Sequence, residues 1–302
     1  MYMKTIKRLG KWMVFLGILA LGICGITYVL LPKIPDFYEE DQWDVVFFGT
    51  SETYCTFDPA VFDEYGLKTY NRGRSQQPME YTYYYVKDAL DVSDIDVVVL
   101  EIFGMGYEAD DSIHVDAGVR DSSLNDLRYS FVKVEAIRDC VPLDEQISYL
   151  FPLDKYHSNW EQLSGNFTTR TYKEESERGF WGWNASEACG YLPWEAINSE
   201  IRGDVWGENM KYLEMIYDLC REKGSRLVLV RAPLPCTEEI VQWTNTVGDW
   251  ADAHDVEMIN YMKLTDVVGL DFAVDSLDGG THLNVYGADK VSKYLAEYLC
   301  SE

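Results

Sequence analysis

Trp12 to Leu31 reads WMVFLGILALGICGITYVLL, a stretch without a single charged side chain. About 20 apolar residues at ~1.5 Å rise each are enough to cross a ~30 Å hydrocarbon core. Backbone groups in lipid must be satisfied within the segment, so the run predicts a helix. Lys4, Lys7, Arg8 and Lys11 precede it, and Asp36, Glu39, Glu40, Asp41 and Asp44 follow it. A basic flank stays on the cytoplasmic side. The expectation is a cytoplasmic segment over 1–11, a single-pass anchor over 12–32, a linker over 33–42 and an extracytoplasmic remainder in the cell membrane. A cleaved signal peptide fits less well, because the run outlasts the usual apolar core and continues as Leu-Leu-Pro-Lys without a small-x-small site. No second apolar run of spanning length follows.

Beyond the linker the pattern changes to short apolar runs separated by helical stretches. Asp44–Gly49 predicts a buried strand and turn, and Asp58-Pro59 opens a short helix, Asp capping and Pro at the first helical position. Leu67–Asn71 is a second strand and Arg72–Ser75 the loop after it. A helix over 78–90 precedes a strand over 96–103, apolar through its middle as strands covered on both faces are. Helices over 209–222, 238–253 and 285–299 alternate with strands over 226–231 and 256–260. This order predicts an α/β domain over 43–302, a mostly parallel sheet with helices on both faces. The stretch from about 106 to 207 breaks the alternation and is rich in aromatics (Phe151, Tyr156, Trp160, Phe167, Tyr172, Phe180, Trp181, Trp183, Trp194). It reads as an insertion capping the carboxyl edge of the sheet, where open α/β folds bind ligands.

Composition narrows the function classes. A chain that is 47% hydrophobic and 14% aromatic is too apolar for disorder. A formal charge of −25 argues against direct binding to nucleic acid or an anionic lipid face. Of the seven cysteines, Cys24 falls in the apolar run; Cys55, Cys140, Cys189, Cys220, Cys236 and Cys300 lie beyond it. Their spacing contains no CxxC and resembles no zinc-binding knuckle.

Two segments carry candidate chemistry. In Phe48-Gly49-Thr50-Ser51-Glu52 a buried strand runs into a serine, whose hydroxyl is then presented at the sheet edge. Near the C-terminus, Asp275 and Asp278 precede His282 in a glycine-bearing loop ahead of the last helix. Acyl transfer through serine needs an imidazole to take the hydroxyl proton and a carboxylate to orient that imidazole. The other histidines, His114, His157 and His254, lack this setting.

Gly49-Thr50-Ser51 and Asp278-Gly-Gly-Thr-His282-Leu-Asn resemble the first and last blocks of the SGNH/GDSL hydrolase superfamily, and Tyr70-Asn71-Arg-Gly73-Arg-Ser-Gln-Gln-Pro78 is similar to its second block. Among its members the chain most resembles membrane-anchored extracytoplasmic ones, such as the D-alanine transfer protein of teichoic acid synthesis and the alginate O-acetylation proteins. The resemblance implies a flavodoxin-like three-layer sandwich, Ser51 as nucleophile, His282 as base and no metal or organic cofactor. It implies ester chemistry on a cell-envelope polysaccharide or polymer, beside a membrane-bound O-acyltransferase. The alternative it leaves is a non-catalytic glycan-binding or assembly subunit. Two departures stand out. Gly279 occupies the usual aspartate position three before the histidine, which leaves Asp278, or else Asp275, as the orienting acid. The third block's glycine and asparagine are missing after Val99-Leu-Glu101-Ile, so the oxyanion is expected to rely on the N–H groups of Ser51 and Gly73, with Asn71 or Gln76. Lys155, Tyr156, His157 and Trp160 are candidates for substrate contact.

Overall fold

Short apolar runs hydrogen-bonded only to parallel partners form the centre of this protein. In the computed structural model, residues 2–31, 35–151, 153–162, 178–189, 197–233 and 237–301 are described. Strands β1 (Gln42–Phe48), β2 (Thr69–Asn71), β3 (Asp94–Glu101), β4 (Arg226–Arg231) and β5 (Glu257–Asn260) pair in the order β2-β1-β3-β4-β5, all parallel. Val46 lies opposite Tyr70 on one side and Val98 on the other, Val99 opposite Val228, and Val230 opposite Ile259. Both faces of these strands are covered, which is why Val45–Phe48 and Val98–Leu100 are apolar without alternation. This is the flavodoxin-like order, and the α/β sandwich read from the sequence holds.

The helices among the described residues are α1 (Tyr2–Leu30), α2 (Ser51–Thr56), α3 (Pro59–Asp63), α4 (Met79–Val92), α5 (Ala117–Asn125), α6 (Phe131–Cys140), α7 (Gln146–Leu150), α8 (Leu153–Tyr156), α9 (Gly207–Lys223), α10 (Glu238–Ala253), α11 (Thr265–Val268) and α12 (Val285–Cys300). Their ends follow from local chemistry. Asp58 Oδ1 accepts the Ala60 N–H at 2.9 Å with Pro59 at the first position of α3. Asn284 Oδ1 accepts the N–H groups of Tyr286 and Gly287 at 3.0 and 3.2 Å and so starts α12. On one face of the sheet Phe47 stacks on Phe57 at 4.8 Å and meets Phe62 at 5.0 Å, with Val291, Leu295 and Ala296 of α12 in the same cluster. Removing a ring from such a core costs about 3–5 kcal/mol. On the other face α4 and α9 pack together against β1, β3 and β4, burying Tyr85, Val86 and Ala89 with Leu213, Ile216 and Cys220.

Contacts divide the chain into two compact units. The sheet belongs to the unit formed by Pro35–Ala136 and Glu175–Glu302, the other being Met1–Ile34 and Ile137–Glu174. In that second unit Ile6–Leu30 is one helix long and apolar enough to cross a membrane, with Trp12, Phe15, Leu16 and Leu21 exposed along it. Asn159 Nδ2 donates to Leu30 O at 3.1 Å, satisfying a carbonyl that the helix end leaves without an intrahelical donor. Residues 32–34, at the junction of the expected anchor and linker, lie outside the described residues. The expected insertion over 106–207 carries α5 to α8 and no strand among its described residues, and it is shared between the two units. Phe167, Tyr172, Trp194 and Cys236 lie outside the described residues.

Candidate active site

The nucleophile candidate sits on a sharp turn at the carboxyl end of β1. Gly49 has φ +139°, and a Cβ there would lie 2.5 Å from Thr53 Oγ1 and 2.7 Å from Glu101 O. Only glycine fits that conformation in that space. Thr50 then caps α2, its Oγ1 accepting the Glu52 N–H at 3.3 Å, and Ser51 is the first helical residue. The chain leaves β1 toward β2 on one side and returns to β3 on the other, so the turn borders the crevice where open sheets of this order bind ligands.

His282 reaches this turn from a loop that Ser276 and Leu283 close as an antiparallel bridge, reinforced by Leu277 N–H to His282 O at 2.9 Å. His282 Nε2 is 2.8 Å from Ser51 Oγ, and His282 Nδ1 is 2.7 Å from Asp278 Oδ2. A carboxylate only accepts, so the hydrogen between His282 and Asp278 belongs to Nδ1, and Nε2 accepts from the Ser51 hydroxyl. Gly279 (φ +78°) and Gly280 (φ +117°) absorb the extra residue between acid and base. Burial raises the Asp278 carboxyl, but hydrogen bonds from the His282 ring and from the His282 and Thr281 N–H groups outweigh it and hold the group below the usual carboxylate range. The Asp278 side chain is 41% exposed, more open than the acid of a deeply buried triad. Asp275 is buried and committed elsewhere: its Oδ2 takes Lys290 Nζ at 2.6 Å and the Asp271 N–H at 2.7 Å.

The other expected site residues fare differently. Asn71 is fully buried, with Nδ2 donating to Thr53 O and Phe57 O, both at 2.9 Å, and Oδ1 accepting the Gly73 N–H at 3.1 Å. Asn71 is therefore a brace between β2 and α2, and the Gly73 N–H is already taken, which corrects the expectation that both face an oxyanion. Gly73 matters for space instead, since a Cβ there would meet Thr53 Cβ at 2.7 Å and Thr50 O at 2.8 Å. Gln76 is exposed at a turn, with φ +52°. Tyr156 and His157 belong to the other unit, at the end of α8 and the start of the 3-10 turn His157–Gln162. Trp160 is exposed on that turn.

The sequence reading missed a buried charge cluster beneath the nucleophile turn. Arg231 Nη1 lies 2.5 Å from Glu52 Oε2 and 3.5 Å from Glu101 Oε1, and all three side chains are almost completely buried. Glu101 also accepts the Phe103 N–H and the Thr50 hydroxyl. Two acids share one base. Burial and the neighbouring Glu101 charge push the Glu52 carboxyl well above its ordinary range against the lowering pull of Arg231, and burial raises Glu101 as well. The signal was present: Glu101 and Arg231 are charges that end the apolar runs Val97–Leu100 and Leu227–Val230, where a charge at a buried strand end needs a partner. Among the described residues no three His, Cys, Asp or Glu side chains are grouped to hold a metal ion.

No protein-family model and no curated protein matches this chain. Among solved structures it is similar to a Bacteroides fragilis protein provisionally named an acylhydrolase, with 11% sequence identity and a TM-score of 0.41 over 90% of this chain and 91% of that one.

Proposed function

We propose that this chain is a membrane-anchored, extracytoplasmic serine esterase or O-acyltransferase of the SGNH type, acting on ester groups of a cell-envelope glycan or polymer. The observation that supports it is the unbroken hydrogen-bond line from Ser51 Oγ through His282 to Asp278 at the carboxyl edge of the sheet. In this reading His282 Nε2 takes the hydroxyl proton as Ser51 Oγ adds to the ester carbonyl. The tetrahedral oxyanion collapses, the alkoxy group leaves with the proton held on Nε2, and the acyl group stays on Ser51. Water gives hydrolysis, and an acceptor hydroxyl gives transfer, by the same steps reversed in order. Asp278 fixes the ring and stabilises the imidazolium. The Ser51 N–H, which has no acceptor among the described residues, is the donor for the oxyanion.

The uncharged span after Lys7, Arg8 and Lys11 supports an anchor with a cytoplasmic N-terminus, which would hold the site beside a membrane-bound O-acyltransferase. The test is intact-mass analysis after a fluorophosphonate probe on the full chain in detergent. One adduct at Ser51, lost in Ser51→Ala and His282→Ala, is the expected result. A folded protein that takes no label would reject the enzyme and leave the assembly-subunit reading.

A further inference from the structure

A strap over residues 178–189 crosses both halves of this site. It begins on the edge strand, where Arg178 O accepts the Asn71 N–H at 2.9 Å. Phe180, 2% exposed, anchors it, and Gly182 passes so close that a Cβ would lie 2.7 Å from the Phe180 ring and 2.8 Å from Val285 Cγ1. The Trp181 N–H donates to Tyr54 O at 3.0 Å, three residues after Ser51. Trp183 O accepts the Val285 N–H at 3.0 Å, three residues after His282. The backbone of each tryptophan is thus pinned to one arm of the site, yet the two residues remain 41% and 49% exposed. Their rings lie 6.4 Å apart, and Trp181 lies 5.9 Å from the Tyr54 ring.

Tryptophan is among the side chains that bury most area, and two of them held half in water beside a reactive serine need an occupant. We infer that Trp181, Trp183 and Tyr54 form a stacking platform for the sugar rings of a neutral glycan whose ester lies at Ser51. The inference rests on the reading of Ser51 as the nucleophile. A pyranose offers an apolar C–H face to an aromatic ring while its hydroxyl rim stays hydrated, which suits an open surface. An acyl chain gains most from complete enclosure, which rings this exposed do not give. Glu187 on the strap and Asp278 on the loop are exposed carboxylates beside the site, and the chain carries −25 overall, so a polyanionic glycan is repelled.

The experiment is isothermal titration of the full-length Ser51→Ala chain with a panel of neutral, partly O-acetylated hexose and pentose hexasaccharides, with polygalacturonate and with phosphatidylcholine vesicles. At least one neutral oligosaccharide should bind, and Trp181→Ala and Trp183→Ala should each weaken it about tenfold or more, while Trp→Phe at either position keeps binding within about threefold. Retained binding in both alanine variants, no binding across the neutral panel, or a preference for polygalacturonate or vesicles would overturn the platform. The two readings fail separately. Phosphonate labelling without glycan binding leaves the enzyme and removes the platform; Trp-dependent glycan binding without labelling leaves the platform on a non-catalytic protein.

Discussion

Asp278 grips His282 at two points, with Oδ2 2.7 Å from the ring Nδ1 and Oδ1 accepting the backbone N–H of the same residue at 2.8 Å. The second bond makes the carboxylate part of the loop that carries His282, so its position does not depend on burial. Asp278→Asn should keep that loop bond but present either an amide N–H or a weaker acceptor to Nδ1, disturbing the tautomer. Turnover should fall about a hundredfold or more, at the mild end of what tautomer loss costs in serine triads because the group is partly hydrated. Asp275→Asn should lower the melting temperature through its lost pairing with Lys290 and leave turnover within about tenfold. Similar small losses of turnover from both would mean that His282 and Ser51 work as a dyad.

Gly49 tests the turn itself. Gly49→Ala forces a methyl group against Glu101 O, a backbone atom that β3 holds in place, at a φ that alanine avoids. Melting temperature and the rate of phosphonate labelling at Ser51 should drop together. Gly66 also has a positive φ, +76°, but a Cβ there meets nothing within 4 Å. Gly66→Ala should therefore cost about 1 kcal/mol of stability and leave the labelling rate unchanged. Labelling that survives Gly49→Ala would show that the turn tolerates reshaping.

Most of the sheet was legible because it is buried on both faces, and runs such as Val98–Leu100 and Leu227–Val230 then advertise themselves without alternation. The start of α3 at Asp58-Pro59 was readable from capping chemistry. What escaped is what depends on the fold bringing distant residues together. Nothing local says that Asn71 turns inward to brace α2 and takes the Gly73 N–H, or that Glu52 meets Arg231 across 179 positions. The strap over 178–189 has no periodicity because it is held by single hydrogen bonds to other segments and not by a repeating ladder.

Thiol chemistry checks the packing around α2. Cys55 is buried in α2, and burial, with the nearby Asp278 charge, pushes its thiol up to about 12. Burial alone raises Cys220 to about 12. The thiolate is the reactive form, so both should resist iodoacetamide at about pH 7.5 while the exposed Cys300 is alkylated. Peptide mapping before and after unfolding in guanidinium reads this directly. Alkylation of Cys55 in the folded protein would mean that α2 opens on the labelling timescale.

The buried acids beside the Ser51 turn give a pH signature whose sign can be worked out. Burial and the Glu101 charge raise the Glu52 carboxyl well above the ordinary 4.5 in the folded state. Below that ordinary value the group is neutral in folded and unfolded chains alike, and its contribution is fully present. As pH rises past it the unfolded chain ionises first, so the folded state binds more protons and the contribution is lost as pH climbs toward the folded value. Glu101, also raised by burial, acts in the same direction and remains in either variant. Glu52→Gln keeps the shape and a donor toward Glu101 but cannot ionise, so comparing it with the natural chain isolates Glu52. Its melting temperature relative to the natural chain should become steadily more favourable between about pH 5 and pH 8. A gap that moves the other way would place the proton on Glu101 and make Glu52 the ionised partner of Arg231; calorimetric melts of both proteins at three pH values decide between these assignments.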